Sequence, residues 1–175
     1  RVIKVVKIAT DVTARVQKEQ EQESQINAIN RSMATIEFNR QGDVISANEN
    51  FLAVMGYRLD EIVGKHHRLF CERSESESNE YRQFWEHLNK GEFFSGNFKR
   101  LNQQGQTVWL RATYNPVFDA NGSLYKVVKF ASDITAQVLQ QETESRAARM
   151  AYETSLKTDN TAQEGARVVQ ETVDV

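Results

Sequence analysis

All nine Phe, both Trp and the only Pro of this chain lie between residues 33 and 135, with four of the five Tyr and seven of the eight Gly. A residue can leave water only where neighbours cover it, so this segregation confines the core to the middle of the chain. The flanks are different. Residues 11 to 32 are rich in Gln, Glu, Asn and Ser, with no Gly, Pro or aromatic residue. Residues 136 to 175 lack Phe, Trp and Pro and contain only Gly165. The expected organisation is helix, globular domain, helix.

The middle zone reads as strands around short helices. ATIEF (34–38) and VISAN (44–48) are strand-like, with Gln41-Gly42-Asp43 as the hairpin turn between them. ENFLAVMG (49–56), RLDEIVG (58–64) and SNEYRQFWEHLNKG (78–91) read as helices, each ending on a Gly suited to the position just past a C-cap. FSGNFKRL (94–101), TVWLRATYNPVF (107–118) and SLYKVVKFAS (123–132) follow as longer strands, joined through Gln104-Gly105 and Asn121-Gly122. This predicts an α+β domain with one five-stranded antiparallel sheet and helices on one face.

Side-chain alternation points Ile36, Phe38, Leu110, Ala112 and Tyr114 to one face of that sheet. The short helices offer Phe51, Met55, Leu69, Phe70 and Phe84 against it. Trp109, Arg111 and Thr113 fall on the opposite face, where Trp109 is placed to cover a flanking helix or a partner chain.

In the C-terminal flank, steps of four and three from Ile134 reach Val138, Gln141, Ser145, Ala148, Tyr152, Ser155, Asp159, Ala162, Ala166, Val169 and Val173. Apolar ends and a small, polar middle predict a weak coiled coil or bundle helix, with a bend or register change near Asp159. The N-terminal helix has a poorer seam through Val12, Val16, Glu19, Glu23, Ile26, Asn30 and Met33, and reads equally as a solvated linker.

The charge is nearly balanced, 22 Lys and Arg against 24 Asp and Glu, with no basic cluster. That argues against a nucleic-acid partner. No apolar run approaches membrane-spanning length and no signal peptide opens the chain. One cysteine, Cys71, rules out an intramolecular disulfide and fits a reducing, cytoplasmic setting. The first residue is Arg1 rather than Met, which suggests a piece of a longer protein. No nucleophile–base arrangement, glycine-rich nucleotide loop or zinc spacing occurs, so the expectation is a non-enzyme.

KVVKFASDITAQV (126–138) has a near copy in KVVKIATDVTARV (4–16), with nine of thirteen positions identical. A duplicated unit of about 120 residues accounts for such a pair. Asp133 and Asp11 stand where a strand gives way to a helix, and a carboxylate there can cap the first turn.

GDVISANENFLAVMGYRLDEIVGKHHRLFC resembles the first half of a PAS sensory domain, and WLRATYNPVFDANGSLYKVVKFASDIT resembles its second half, ending in the D-I-T exit triplet. The resemblance covers about residues 33 to 135 and is nearest to the tandem PAS domains of soluble chemoreceptors. TDNTAQEGARVVQETVDV looks like the opening of their methyl-accepting signalling bundle. On this reading residues 1–12 are the last strand and exit (PAC-type) of a preceding PAS domain. Residues 13–32 are a linker helix, 33–135 a PAS domain, and 136–175 a helix leading into the bundle.

The resemblance implies a sensory module that relays a redox, gas or small-ligand signal through Asp133, Ile134 and Thr135, with Trp109 on the transmitting face. It implies a homodimer whose downstream bundle engages a chemotaxis kinase and adaptor. A histidine kinase or a cyclic-dinucleotide enzyme is the alternative output, and a ligand-free dimerisation module a third. The pocket would be lined by Phe51, Met55, Phe70, Phe84, Leu110 and Tyr114. His66, His67 or His87 would serve as the axial ligand if haem is bound, noncovalent flavin (FAD) is a second candidate, and a packed core is the remaining option. The photosensory branch has G-x-N-C-R-F-L-Q where this chain has Gly64-Lys65-His66-His67-Arg68-Leu69-Phe70-Cys71. His67 occupies the reactive cysteine position, which excludes flavin–cysteine chemistry and leaves Cys71 as a small buried hydrophobe.

Overall fold

The computed structural model describes residues 3, 4, 6–8 and 10–173, with side chains to residue 167. Two compact units emerge, residues 1–133 and 134–175.

The first unit begins with α1 (Thr13–Ser32), a helix with no buried residue. Strands β1 (Ala34–Phe38), β2 (Val44–Ala47), β3 (Phe94–Leu101), β4 (Thr107–Phe118) and β5 (Leu124–Asp133) form one sheet in the order β2-β1-β5-β4-β3, every pair antiparallel. The last strand in sequence is therefore the central one in space. Between β2 and β3 run α2 (Glu49–Met55), α3 (Leu59–Ile62), a 3₁₀ turn (His67–Phe70), α4 (Arg73–Ser76) and α5 (Asn79–Asn89). The α+β class and the five strands agree with the sequence reading.

Local chemistry explains the segment ends. Gly56, Gly64 and Gly91 all have positive φ, the left-handed geometry that closes a helix cheaply only when Cβ is absent. Asn48 opens α2 and joins three elements. Its Oδ1 accepts from the Phe51 amide and the Thr35 amide, each at 2.9 Å, and its Nδ2 donates to the Met33 carbonyl at 2.8 Å. One amide thus fixes the end of α1, the start of β1 and the first turn of α2.

Alternation holds along the sheet. Ile36, Phe38, Leu110, Ala112 and Tyr114 are buried on one face with Phe51, Met55 and Phe70 from the helices. Leu69 is the exception: it is 38 % exposed. Residues three apart superimpose on a 3₁₀ turn. Burying His67 and Phe70 therefore turns Leu69 outward.

The second unit contains α6 (Thr135–Val173), one uninterrupted 39-residue helix. It runs unbroken through Asp159, whose carboxylate accepts from Gln163 Nε2 at 3.1 Å. The helix assignment includes Val169 and Val173, whose side chains lie outside the described residues. The duplicated strand expected over residues 4–10 includes positions 5 and 9, also outside them. Its described residues are exposed and carry no strand assignment.

Candidate functional site

Two cations and a histidine lie inside the core face of the sheet. Among the described residues the buried polar side chains are Thr35, His67, Arg100 and Lys129, the last three at 1 %, 3 % and 2 % exposure. Register places Lys129 on the central strand between Ile36 of β1 and Tyr114 of β4. Arg100 of β3 lies opposite the buried Val108. The inward position of Lys129 escaped the sequence reading, although alternation from the buried Ala131 two residues along would have found it.

The 3₁₀ turn aims His67 into this face. Its backbone amide donates to the Gly42 carbonyl at 2.8 Å. Gly42 has φ +90°, and a Cβ there would meet Trp85 Cζ2 at 2.9 Å and His66 Nε2 at 3.0 Å. The β1–β2 turn must be glycine so that Trp85 and His66 can close over it.

Both ring nitrogens of His67 are engaged, Nδ1 with the Tyr81 hydroxyl at 2.9 Å and Nε2 with the Tyr114 hydroxyl at 3.0 Å. Tyr114 also accepts from Arg100 Nη2 at 3.3 Å, and Tyr81 lies 3.5 Å from His66 Nδ1. Burial drives the His67 pKa well below its ordinary value, and the positive charges of Arg100 and Lys129 push the same way. A neutral imidazole has one N–H and one lone pair, so it donates to one tyrosine and accepts from the other. A polarised chain follows: Arg100 to Tyr114, Tyr114 to His67, His67 to Tyr81, Tyr81 to His66. Burial raises both phenols, Tyr114 to about 12, so both hydroxyls keep their protons.

His67 and His66 fit an axial haem ligand poorly. Coordination through His67 would break one of its two tyrosine hydrogen bonds. The half-buried His66 already accepts from the Arg68 amide at its Nδ1, 3.1 Å away. His87, on α5, pairs its Nδ1 with Glu92 at 2.8 Å, a bond that does not prevent Nε2 from ligating. Phe51, Met55, Phe70, Leu110 and Tyr114 pack into the buried core, while Phe84 is half-buried between Phe94 and Tyr114. Trp109 lies half-buried on the opposite face of the sheet. Burial raises the Cys71 thiol to about 11, which keeps it protonated and unreactive at neutral pH.

The family model for the PAS fold matches residues 44–131, which span α2 to α5, the polar chain, β2 to β4 and most of β5. The chain belongs to the PAS family. It is 45 % identical over 174 residues to the biofilm dispersion protein BdlA of Pseudomonas aeruginosa, covering 99 % of this chain and 42 % of that protein. It is 31 % identical over 77 residues to the aerotaxis receptor of Escherichia coli, covering 44 % of this chain and 15 % of the receptor. The chain thus spans less than half the length of either relative. The PAS domain of a Colwellia psychrerythraea protein superimposes with a TM-score of 0.58 at 18 % identity, covering 66 % of this chain and 98 % of that one. At that identity the likeness shows the PAS fold alone. Among the described residues no helix is long and apolar enough to cross a membrane.

Asp133 ends β5, Ile134 is buried, and Thr135 begins α6. At the earlier copy Asp11 Oδ1 accepts from the Thr13 amide at 2.9 Å, and hydrogen bonds from the Thr13 side chain and then from its amide hold the Asp11 carboxyl below its ordinary pKa.

Proposed function

We propose that this chain is the sensory PAS module of a chemotaxis-type transducer. In this reading the pocket face detects a redox, gas or small-ligand change, and the Asp133-Ile134-Thr135 exit relays it to a helical output. The observation that carries the reading is the course of β5. The strand at the centre of the sheet holds Lys129 and Ala131 on the pocket face and continues through one residue into the 39-residue α6. A shift of that strand reaches the helix through covalent geometry rather than through a compliant loop. The aerotaxis receptor among the relatives supports a sensory role for the whole protein.

Residues 1–12 then complete a preceding PAS domain and α1 links it to this one. The module has no catalytic role of its own; α6 pairs with a second copy in a parallel homodimer and leads to a bundle that engages a chemotaxis kinase and adaptor in the cytoplasm. Light scattering that shows a strict monomer at high concentration overturns the pairing.

The relay is tested at Asp133. Loss of a cap costs about 1 kcal/mol, against roughly 5–15 kcal/mol for a whole domain, so Asp133→Ala leaves the fold intact. Asp133→Asn and Asp133→Ser still cap but lack the charge. In the intact protein we expect both to hold the output in one signalling state. Normal kinase control by both variants reduces Asp133 to a helix start.

A further inference from the structure

Helix α1 buries no residue, yet its last turn is tied to the domain. Ile26 and Ile29 stay 58 % and 40 % exposed, and with Val128 and Phe130 of β5 they line a groove of about 230 Å³. Packing therefore does little to fix where α1 points. An element with so few buried contacts is adjusted at small cost, and its specific hydrogen bonds decide its position.

A helix leaves its last carbonyls without an amide of its own to accept from. In α1 a side chain of another helix fills them. Asn50 Nδ2 donates to the Asn30 carbonyl at 2.9 Å, to the Arg31 carbonyl at 3.3 Å and to the Met33 carbonyl at 3.2 Å. Two N–H groups are shared among three carbonyls, with positive hydrogens set against the negative end of the helix. Asn48 reaches the same end, at the Met33 and Asn30 carbonyls, but its Oδ1 also holds β1 and caps α2. Asn50 has no such second duty. Every hydrogen bond of its Nδ2 goes to α1 or to Met33, which closes α1. The next residue along α2 is Phe51, 1 % exposed and packed edge to face on Phe70 with centroids 5.4 Å apart, and Met55 is fully buried one turn on.

We propose that α2 is a lever between the pocket face and α1, with Asn50 as the positioning residue that grips α1. One side of α2 is set by the core through Phe51 and Met55, and the other holds the last carbonyls of α1. At seven residues the helix is about 10 Å long and moves as one piece. A change on the pocket face that tilts α2 therefore carries Asn50 Nδ2, and the end of α1, with it. The device rests on the sensory reading above and adds a second connection to it, toward the N-terminal helix and separate from the exit through β5 and α6.

The test is hydrogen exchange of the 175-residue chain, followed amide by amide. In Asn50→Ala exchange over residues 26–33 is expected to rise roughly threefold to tenfold, the loss of one or two ordinary hydrogen bonds, while β3 and β4 keep the parent rates. Asn50→Asp has the same shape without the donor and is expected to behave as the alanine variant does. Coupling is read by a double-mutant cycle with Phe51→Leu, a change on the pocket side of α2. Phe51→Leu alone is expected to speed exchange over residues 26–33. In the Asn50→Ala background it is expected to change nothing further there, while its effect on the sheet is the same in both backgrounds. An equal effect of Phe51→Leu on α1 in both backgrounds overturns the lever. So does parent exchange of α1 in both Asn50 variants, or a uniform rise over α1 and the sheet, which marks a merely structural residue. These outcomes are read on the isolated chain, whereas failure of the Asp133 relay is read in the intact protein, so each can fail alone.

Discussion

The ammonium of Lys129 stands 4.8 Å from the ring centroid of Tyr114, with both side chains buried on the central strands of the sheet. A cation–π contact of this kind offsets only part of the cost of burying a charge. The pair therefore marks a position where burial and charge conflict. It sits where the strand leading to α6 faces the helices.

That conflict predicts a pH dependence. Burial, reinforced by the positive charge of Arg100, lowers the folded pKa of Lys129 well below 10.5. Below 10.5 the unfolded lysine takes up a proton that the folded one refuses. Stability from this group is therefore full above pH 10.5 and declines as pH falls toward the folded pKa, by at most ~1.4 kcal/mol per unit. Lys129→Met removes the decline. Urea unfolding at pH 7 and pH 9 should show a smaller pH effect in the variant, and a variant at least as stable as the parent at pH 7.

His67 predicts an acid limit. Its folded pKa lies well below 6.5, so the unfolded chain takes up a proton first as pH falls. Its contribution is complete above about pH 6.5 and is lost below it, again at no more than ~1.4 kcal/mol per unit. His67→Phe leaves the Tyr81 and Tyr114 hydroxyls without their imidazole and should cost about 2–4 kcal/mol at pH 7. The variant should also lose part of the acid sensitivity between pH 6.5 and 5. Denaturant midpoints across that range check both effects.

Asn48 predicts a structural rather than a sensory phenotype. Asn48→Ala removes acceptors for the Thr35 and Phe51 amides and the donor to the Met33 carbonyl. A lost cap and part-buried groups left unpaired should cost about 2–3 kcal/mol. Asn48→Asp keeps both acceptors, loses the donor and should cost less. Thermal unfolding of the two variants orders them.

Period and punctuation were enough to read the strands. β1, β3 and β4 fall where alternation and the Gly-containing turns put them, because a strand with one buried face must repeat every second residue. Gly56, Gly64 and Gly91 announced the helix ends for a reason just as local, the steric freedom of a residue without Cβ. Sequence alone thus determined the α+β class, the five strands and the helices α2, α3 and α5, while the 3₁₀ turn and α4 emerged only in the structure.

The site was legible only in part. Phe51, Met55, Phe70, Leu110 and Tyr114 reached the core as their spacing required. The environments of His67, Arg100 and Lys129 did not follow from spacing, because residues 67, 100 and 129 meet only after β5 inserts between β1 and β4. A lysine is ordinarily solvated, so the alternation that puts Lys129 on the inward face does not by itself say that the side chain stays buried there, while Lys126 on the opposite face pairs with Glu37 at 2.7 Å. Sheet order is a non-local choice, made by the whole set of strands packing at once. That choice placed two basic side chains, a neutral histidine and two tyrosines inside one core, because burial depends on which strands and helices close around a side chain.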